Sequence, residues 1–338
     1  MSETIVVPRE RAGLELDEFL CLWFPGVSKG FLRQQVRDGL VLLDGLRVQP
    51  SQRLRPDQVV IVDFDEDAAP PPPVDTGLAI PVLYEDADLL VLDKPAGLAV
   101  EPERWARSNA SLAGALLSLA RARSSPAANG SAPLELRLRN VHRLDKDTTG
   151  ALVVAKHLEA ERALRTAFEE DRVEKTYHAL VEGEHPLADG AEDVIDLAIG
   201  PDERRSGRVV VQPDGGKPAR TRISVLERFH GYTWMRCRPL TGRTHQIRVH
   251  LAATGFPLAV DPVYGRRSDL RLSAIKAGYR SKPGRPERPL VTRLTLHAAE
   301  VAVPSPSAPG RTIRVEAPLP KDLAKLLKQL GKVRPWRP

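Results

Sequence analysis

Two polar segments of the sequence carry the residue types that could do chemistry. The first, VHRLDKDTTG at residues 141–150, holds four charged groups just before a strand-forming run. The second, TGRTHQIRVHL at residues 241–251, opens a helix that is predicted from about Thr244 to Thr254 and is ended by Gly255. Because helix N-termini attract anions, a distant carboxylate or a phosphate could lie at this one.

Each segment also fits an interpretation without chemistry. Asp and Thr bond their own backbone in turns and Gly tolerates positive φ, so residues 141–150 are also typical of a capped turn. We interpret Asp147 as such a turn former rather than as a second catalytic acid. The polar first turn of the helix could equally face water. The residues alone leave both interpretations open.

The stretch that contains both segments alternates helix and strand signals without regular βαβ repeats. This predicts an α+β fold built on a mixed, largely antiparallel central sheet. Alternation along residues 173–181 places Lys175 and Tyr177 on one face of a strand. Strands are predicted at 89–92, 151–155, 173–181, 221–225 and 232–238, with an amphipathic helix at about 160–168.

A small α/β domain is predicted at residues 1–64, before a proline-rich linker at 65–80. Its second helix carries Lys29, Arg33 and Arg37 four residues apart, so they share one face. Asp44-Gly45 is a hairpin-type turn signal between short strands. The domain beyond the linker is predicted at 81–320, followed by a basic tail at 321–338.

The positive charge of the chain is concentrated in its last quarter. The 338 residues carry a formal net charge of +6. Residues 266–293 hold nine basic residues against two acids, and residues 321–338 hold six against one. Such concentration suggests a polyanion, although a solvated loop and a frayed tail would give the same counts.

Composition excludes several classes of protein. No apolar run approaches the roughly 20 residues that cross a bilayer, so no membrane association is expected. Cys21 and Cys237 are the only cysteines and form no CxxC pair, which excludes a disulfide framework and a thiolate zinc site. We therefore expect a cytoplasmic protein with no bound metal.

Six motifs in one order carry a family resemblance: LYEDADLLVLDKPAGL, HRLDKDTTG, EKTYHALVEG, GKPARTR, TGRTHQIRVHLAATGFPLAVDPVYG and LTLHAAEV. Together they resemble the RluA-type pseudouridine synthases over residues 80–303. Residues 14–64 resemble the S4-like RNA-binding module of ribosomal proteins, so we expect Lys29, Arg33 and Arg37 to contact RNA. The resemblance implies the pseudouridine synthase fold, isomerisation of uridine within RNA, and no metal or other cofactor.

The resemblance also assigns the central residues. Asp145 is implied to be the catalytic carboxylate, which either adds to C1′ of the ribose or removes a sugar proton. Arg243 is implied to form an ion pair with Asp145. Tyr177 is implied to stack on the target uracil, with its hydroxyl assisting the late loss of the C5 proton.

Further residues are expected around this centre. Arg143 is implied to enter the RNA stack in place of the extruded nucleotide, and we expect His142 to contact RNA beside it. Leu296 and Thr149 are expected to line the pocket, Thr149 standing where relatives more often have Ser. Glu101-Pro102-Glu103 departs from the usual His-Pro-Gly, which predicts different contacts at the pocket rim.

The expected partner is RNA, ribosomal RNA more than transfer RNA, with no required protein partner evident. A catalytically silent RNA-binding or assembly factor with the same fold is the alternative. A glycosidase built on Asp145 with Asp147 or Glu174 lacks sugar-stacking aromatics, since aromatic residues make up 5% of the chain. A phosphate-loop NTPase is excluded because residues 215–218, GGKP, lack the required spacing and the Ser or Thr after Lys.

Overall fold

A computed structural model describes residues 3–24, 27, 29–65, 80–100, 112, 115–116, 119, 138–205, 207–280, 284 and 286–337. The chain divides into two compact units, residues 1–79 with 101–132 and residues 80–100 with 133–338. Residues 66–79 of the predicted linker and the Glu101-Pro102-Glu103 departure lie outside the described residues. No helix within the described ranges is long and apolar enough to span a membrane.

The N-terminal unit packs two helices on a small antiparallel sheet. Its strands pair in the order β1-β4-β2-β3. Asp44 and Gly45 both have positive φ, 51° and 78°, which confirms the predicted hairpin turn between β2 and β3. The elements are β1 Glu3–Val6, α1 Leu16–Trp23, α2 Lys29–Asp38, β2 Val41–Leu43, β3 Leu46–Arg47 and β4 Val59–Val62.

The second unit is built on a ten-stranded sheet, which confirms the α+β prediction. Its strands pair in the order β10-β13-β14-β9-β15-β8-β6-β5. In addition, β16 pairs with β15 and β7 pairs with β8. Among the described strands only the β15–β8 pair is parallel. The strands that frame the sheet are β5 Val82–Glu85, β6 Leu89–Lys94, β7 Arg139–Asn140, β8 Thr149–Ala155, β9 Glu174–Glu182, β10 Glu192–Asp196, β13 Arg220–Phe229, β14 Tyr232–Pro239, β15 Leu296–Pro304 and β16 Thr312–Glu316. A separate pair is formed by β11 Ile199–Pro201 and β12 Val209–Val211.

Strand β8 is an interior strand of the sheet, between β15 and β6, and its sequence explains why. All seven of its residues, TGALVVA, are buried. Gly150 has φ +110°, and a Cβ there would stand 2.1 Å from the carbonyl oxygen of Ala298. Only glycine therefore lets β8 approach β15 this closely.

Strand β9 separates two apolar clusters by its alternation, as the sequence predicts. Tyr177, Ala179 and Val181 pack on one face in a cluster that includes Ile247 and Leu296. Leu180 packs on the other face, in a cluster that includes Phe229, Trp234 and leucines of the last helix. The first face is the one that meets the two polar segments.

The described helices of this unit are α3 Leu158–Glu169, α4 Gln246–Ala253, the one-turn α5 Leu272–Ile275 and α6 Lys321–Val333. Helix α4 begins later than predicted because His245, its N-cap, has φ 55°. The prediction of a separate tail at 321–338 is wrong: Leu323, Leu326 and Leu330 of α6 are fully buried in the core of the second unit. Apolar spacing at i, i+3 and i+7 makes this segment a packed amphipathic helix.

Candidate active site

A cavity of about 250 Å³ brings the two polar segments together. Both lie in the second unit, although about a hundred residues separate them in sequence. Four cationic side chains and one carboxylate line the cavity, namely Arg143, Lys175, Arg243, Arg248 and Asp145. An excess of positive charge in a cleft suits an anionic substrate.

Asp145 lies in the loop that leads from β7 into β8. The amide of Thr148 donates to the carbonyl of Asp145 at 3.1 Å, which closes a turn there. The buried ammonium of Lys94, at the end of β6, donates to the carbonyls of Pro95 at 2.9 Å and Lys146 at 2.8 Å. Burial lowers the pKa of Lys94 to about 8, against the opposing charges of Asp147 and Asp145. The loop backbone just after the carboxylate is thus tied to the end of β6.

The partner of Asp145 is Arg248, and the predicted ion pair with Arg243 is wrong. Nη1 of Arg248 donates to Oδ2 of Asp145 at 2.9 Å. Arg243 donates instead from Nε to the carbonyl of Pro218 at 3.2 Å. Arg248 lies in the first turn of α4. Arg243 precedes the helix, and its side chain is directed to Pro218. A carboxylate does lie at this helix start, which was one of the two predicted occupants.

Arg248 is held from behind by a second carboxylate, Asp261. Its Nε and Nη2 donate to the two oxygens of Asp261 at 2.7 and 2.9 Å. Burial alone would raise the pKa of Asp261, but the hydrogen bonds and charge of Arg248 lower it overall. The amides of Val263 and Tyr264 donate to the same carboxylate at 2.8 and 3.0 Å. Asp261, itself held by two backbone amides, therefore fixes the guanidinium that faces Asp145.

The second oxygen of Asp145 faces a histidine. Nε2 of His245 lies 3.9 Å from Oδ1 of Asp145. Nδ1 of His245 lies 2.9 Å from the hydroxyl of Tyr264, which also accepts from the amide of Val209 at 2.9 Å. The pKa of His245 is lowered, first by burial, although the charge of Asp145 opposes this. At 3.9 Å the contact is too long for a hydrogen bond, so Oδ1 of Asp145 accepts none from His245.

Tyr177 lines the cavity from β9, where the sequence predicts it. Its neighbours across the sheet are Cys237 on β14 and Ala298 on β15. Burial raises the pKa of Tyr177, and the negative charge of Asp145 raises it further. The side chain thus stands on the cavity wall as a protonated phenol near the carboxylate.

His142 has a structural role, in contrast to its predicted contact with RNA. Its Nε2 accepts a hydrogen bond of 2.9 Å from the amide of Val153, and its ring stacks on Phe168 with centroids 4.5 Å apart. Burial, with a smaller effect of Lys175, lowers its pKa to about 3. A neutral ring with one nitrogen already bonded offers no positive charge to a phosphate.

The pocket assignments divide. Leu296 lines the cavity, as predicted. Thr149 does not: it is the first residue of β8, and its hydroxyl lies 3.0 Å from Nδ1 of His297 in the core. Thr148, one residue earlier, lines the cavity instead. Side chains alternate as the loop enters the strand, so a shift of one residue changes the face.

Arg143 is an exposed side chain on the wall of the cavity, two residues before Asp145. Lys175 reaches the same cavity from β9, with its ammonium 6.0 Å from the centre of the Phe168 ring. Burial lowers the pKa of Lys175, and Asp171 opposes the shift. Arg143 thus lines the cavity from the loop that carries Asp145, and Lys175 lines it from the sheet.

Three basic residues of the N-terminal unit are predicted to contact RNA, and two of them form ion pairs within that unit. Arg33 donates to Asp17 at 2.6 Å, and Lys29 lies 3.3 Å from the other oxygen of the same buried carboxylate. Arg37, on the same face of α2, is exposed and has no bonded partner among the described residues. Arg33 and Lys29 therefore neutralise a buried charge, and Arg37 is the one left to solvent.

Sequence reasoning missed Arg248, Asp261 and His245, although all three stand within a quoted motif. The available signal was helical position, since Arg248 falls near the start of the predicted helix. Asp261 follows a run of buried residues, Leu258, Ala259 and Val260, and a carboxylate so placed requires a cation. Neither signal identifies which residues pair with each other, because that depends on the fold.

Comparisons with known proteins identify the family. A family model described as RNA pseudouridylate synthase matches residues 88–253, and one described as S4 domain matches residues 16–60. An uncharacterized RNA pseudouridine synthase of Chloroflexus aurantiacus is 39% identical over 96% of this chain and 93% of its own length. The ribosomal large subunit pseudouridine synthase D of Neisseria meningitidis serogroup B is 33% identical over 96% of this chain and 81% of its own.

A solved structure supports the fold independently. The human protein named RNA pseudouridylate synthase domain containing 4 superposes with a TM-score of 0.52 at 23% identity, covering 74% of this chain and 92% of that one. The fold and the relatives together define an RNA-modifying isomerase. The chain belongs to the RluA-type family of RNA pseudouridine synthases and carries an S4 domain at its N-terminus.

Proposed function

We propose that this enzyme converts specific uridines of large-subunit ribosomal RNA to pseudouridine, with Asp145 as its catalytic carboxylate. The observation that carries the assignment is the pairing of Asp145 with Arg248 on the wall of a cationic cavity. The ribosomal substrate is supported by the printed name of the Neisseria relative and by the S4 domain. Transfer RNA is the less favoured substrate.

The reaction needs one carboxylate and no change of oxidation state. The bond from N1 of uracil to C1′ breaks, a bond from C5 to C1′ forms, and the C5 proton is lost while N1 gains one. Asp145 serves this chemistry either by adding to C1′ and leaving when C5 attacks, or by removing a sugar proton in an elimination. Arg248 stabilises the negative charge of Asp145 by donating to Oδ2.

The neighbouring side chains take complementary roles in this proposal. Tyr177 stacks on the unstacked uracil, and its hydroxyl assists the loss of the C5 proton. Arg143 fills the gap that the extruded nucleotide leaves in the RNA, which offsets a flipping cost of a few kcal/mol. Lys175 and Arg243 supply positive charge to the phosphates beside the target. Leu296 gives the apolar wall.

The decisive experiment compares Asp145→Asn with Asp147→Asn. Pseudouridine formed in large-subunit ribosomal RNA is mapped by mass spectrometry after incubation with each protein. We expect Asp145→Asn to lose activity by at least about 10⁴-fold while RNA affinity stays within about twofold, and Asp147→Asn to stay active. Turnover near wild type in Asp145→Asn would remove that residue from the role.

The alternative, a catalytically silent RNA-binding factor, is less favoured because pure binding requires no carboxylate held by a buried arginine. A cell lacking the gene tests it, since a silent factor would leave the pseudouridine map unchanged. A cytoplasmic location is part of the proposal. It is supported by two unpaired thiols, Cys21 and Cys237, whose pKa values burial raises to about 11 and about 12.

A further inference from the structure

Helix α6 carries an exposed stripe of four lysines on the side opposite its buried leucines. All four are exposed, and none forms an ion pair or hydrogen bond with any residue that the structure describes. At 3.6 residues per turn they fall within an arc of about 60° and extend over about 16 Å. The stripe consists of Lys321, Lys325, Lys328 and Lys332.

The stripe differs from the other basic stretch of the last quarter. In residues 266–293, Arg267 and Arg266 lie 2.9 and 3.6 Å from Glu182. Arg271 lies 2.8 Å from Asp269, and Arg293 is bound at 2.7 Å to Asp322 of α6. Those arginines already have carboxylate partners, whereas the lysine stripe faces solvent. The four lysines of α6 therefore form one face of positive charge that no described carboxylate compensates.

An aromatic side chain stands at the end of the stripe. Trp336 is 40% exposed although it is large and apolar. The backbone before it is held in place. Pro335 forms an isolated β-bridge with Phe229, and the amide of His230 donates to the carbonyl of Arg334 at 2.8 Å. Nε of Arg334 donates to the carbonyl of Ile275 at 2.6 Å. The fold thus holds an indole at the surface, four residues after Lys332.

The stripe and the cavity lie on opposite faces of the sheet. Leu326 of α6 packs in the cluster with Leu180, and Tyr177 packs in the cluster on the other face of β9. The lysines lie on the face of α6 that points away from the sheet, so the helix, about 10 Å across, separates them from it. An RNA short enough to occupy only the cavity does not reach them.

We propose that the lysine stripe and Trp336 form a second RNA-contact surface, which binds single-stranded RNA distant from the target uridine. Ammonium groups on one helix face neutralise successive phosphates, and an exposed indole stacks on a base. This combination of positive charge and an aromatic platform binds RNA without reading its sequence. The inference requires an RNA substrate but does not depend on which RNA is modified.

The test uses a 20-nucleotide oligoadenylate, which contains no uracil and so reports on contacts outside the uracil site. Its dissociation constant is measured by fluorescence anisotropy between 50 and 200 mM salt. Lys325→Gln with Lys328→Gln should reduce the slope of log affinity against log salt by about 1.4, at about 0.7 per lost phosphate contact. Trp336→Ala should weaken binding about tenfold with little change of slope.

A matched control removes two charges from exposed arginines that already have partners. Arg172 is paired with Glu170 at 2.7 Å and Arg222 with Glu192 at 3.6 Å. Arg172→Gln with Arg222→Gln should leave the slope unchanged. An unchanged slope in the lysine variant, or an equal loss in the control, overturns the proposal.

A kinetic comparison separates this inference from the proposed function. The lysine variant should raise KM for a long ribosomal RNA fragment more than for a stem-loop that fills only the cavity. Equal effects on the two RNAs would contradict a distant contact. Absence of pseudouridine with the unaltered protein would instead defeat the ribosomal assignment and leave the oligoadenylate result standing. Circular dichroism verifies that the variant keeps the helix content of the unaltered protein.

Discussion

Asp145 accepts one hydrogen bond of 2.9 Å from Arg248, and the same guanidinium is gripped at 2.7 and 2.9 Å by Asp261. The arginine thus joins two carboxylates, one fully buried and one facing the cavity. Because three of its nitrogens are engaged in a planar fork, it cannot follow Asp145 if that side chain moves. Arg248 is therefore a fixed hydrogen-bond donor for Asp145 before RNA arrives.

The fork predicts that Arg248→Lys is severely impaired. A lysine reaches one carboxylate at a time, so either Asp145 or the buried Asp261 loses its partner. We expect kcat to fall by at least about 100-fold, which corresponds to about 2.7 kcal/mol of transition-state stabilisation. The measurement is single-turnover formation of pseudouridine in an RNA fragment.

Arg243→Lys is the matched control for this substitution. Arg243 lines the same cavity but does not touch Asp145 in the structure. We expect a higher KM with kcat changed by less than about fivefold, since a point charge near a phosphate survives. If Arg243→Lys lost as much kcat as Arg248→Lys, the assigned pairing would be wrong.

The structure separates what the sequence determines locally from what requires the fold. Alternation along β9 places Tyr177 on the correct face, and the buried run of β8 is visible as apolar letters. The sequence does not show which of Arg243 and Arg248 pairs with Asp145, because both lie close to the start of the helix. The pairing depends on where His245 bends the chain, at φ 55°, and on the position of Asp261, which folding brings from outside the helix.

Asp261→Asn should uncouple the arginine from its anchor. The amide keeps the shape of the carboxylate but presents NH₂ to one guanidinium nitrogen and removes the buried counter-charge. We expect the free energy of unfolding to fall by about 3 kcal/mol and kcat to fall with it. Asp269→Asn, which removes the exposed partner of Arg271, should cost less than about 1 kcal/mol in the same denaturation experiment.

In the N-terminal unit, Arg33 and Arg37 should separate stability from binding. Arg33→Gln leaves Asp17, a fully buried carboxylate, with only the longer contact to Lys29. We expect about 2 kcal/mol of lost stability, read from thermal unfolding. Arg37→Gln should leave stability unchanged and weaken RNA binding about threefold to tenfold, which a filter-binding titration measures. A reversed pattern would mean that Arg33 contacts the RNA directly.

Tyr177→Phe should separate stacking from proton removal. The ring remains, so RNA affinity stays within about twofold, while the loss of the hydroxyl slows turnover about tenfold to 100-fold. Tyr177→Leu removes both functions and should abolish detectable product. Quench experiments that follow tritium released from C5 measure the step directly. Turnover of Tyr177→Phe at the wild-type rate would assign the tyrosine to stacking alone.

His297 predicts how stability depends on pH. The ring is fully buried, and burial lowers its pKa to about 4, despite hydrogen bonds to the carbonyl of Ala317 and to Thr149 that oppose the shift. The unfolded chain therefore takes up a proton near pH 6.5 that the folded chain refuses until about pH 4, so stability falls as pH decreases through that window. At pH 5 this histidine should cost about 2 kcal/mol relative to pH 7.5.

His297→Gln tests the assignment, because the amide replaces the imidazole in a similar volume without a titrating group. Its free energy of unfolding should be lower than that of the unaltered protein at pH 7.5, since the fit is poorer. The gap should narrow by about 2 kcal/mol on going to pH 5, because only the histidine protein is penalised there. Parallel curves for the two proteins between pH 7.5 and 5 would show that His297 does not set this dependence.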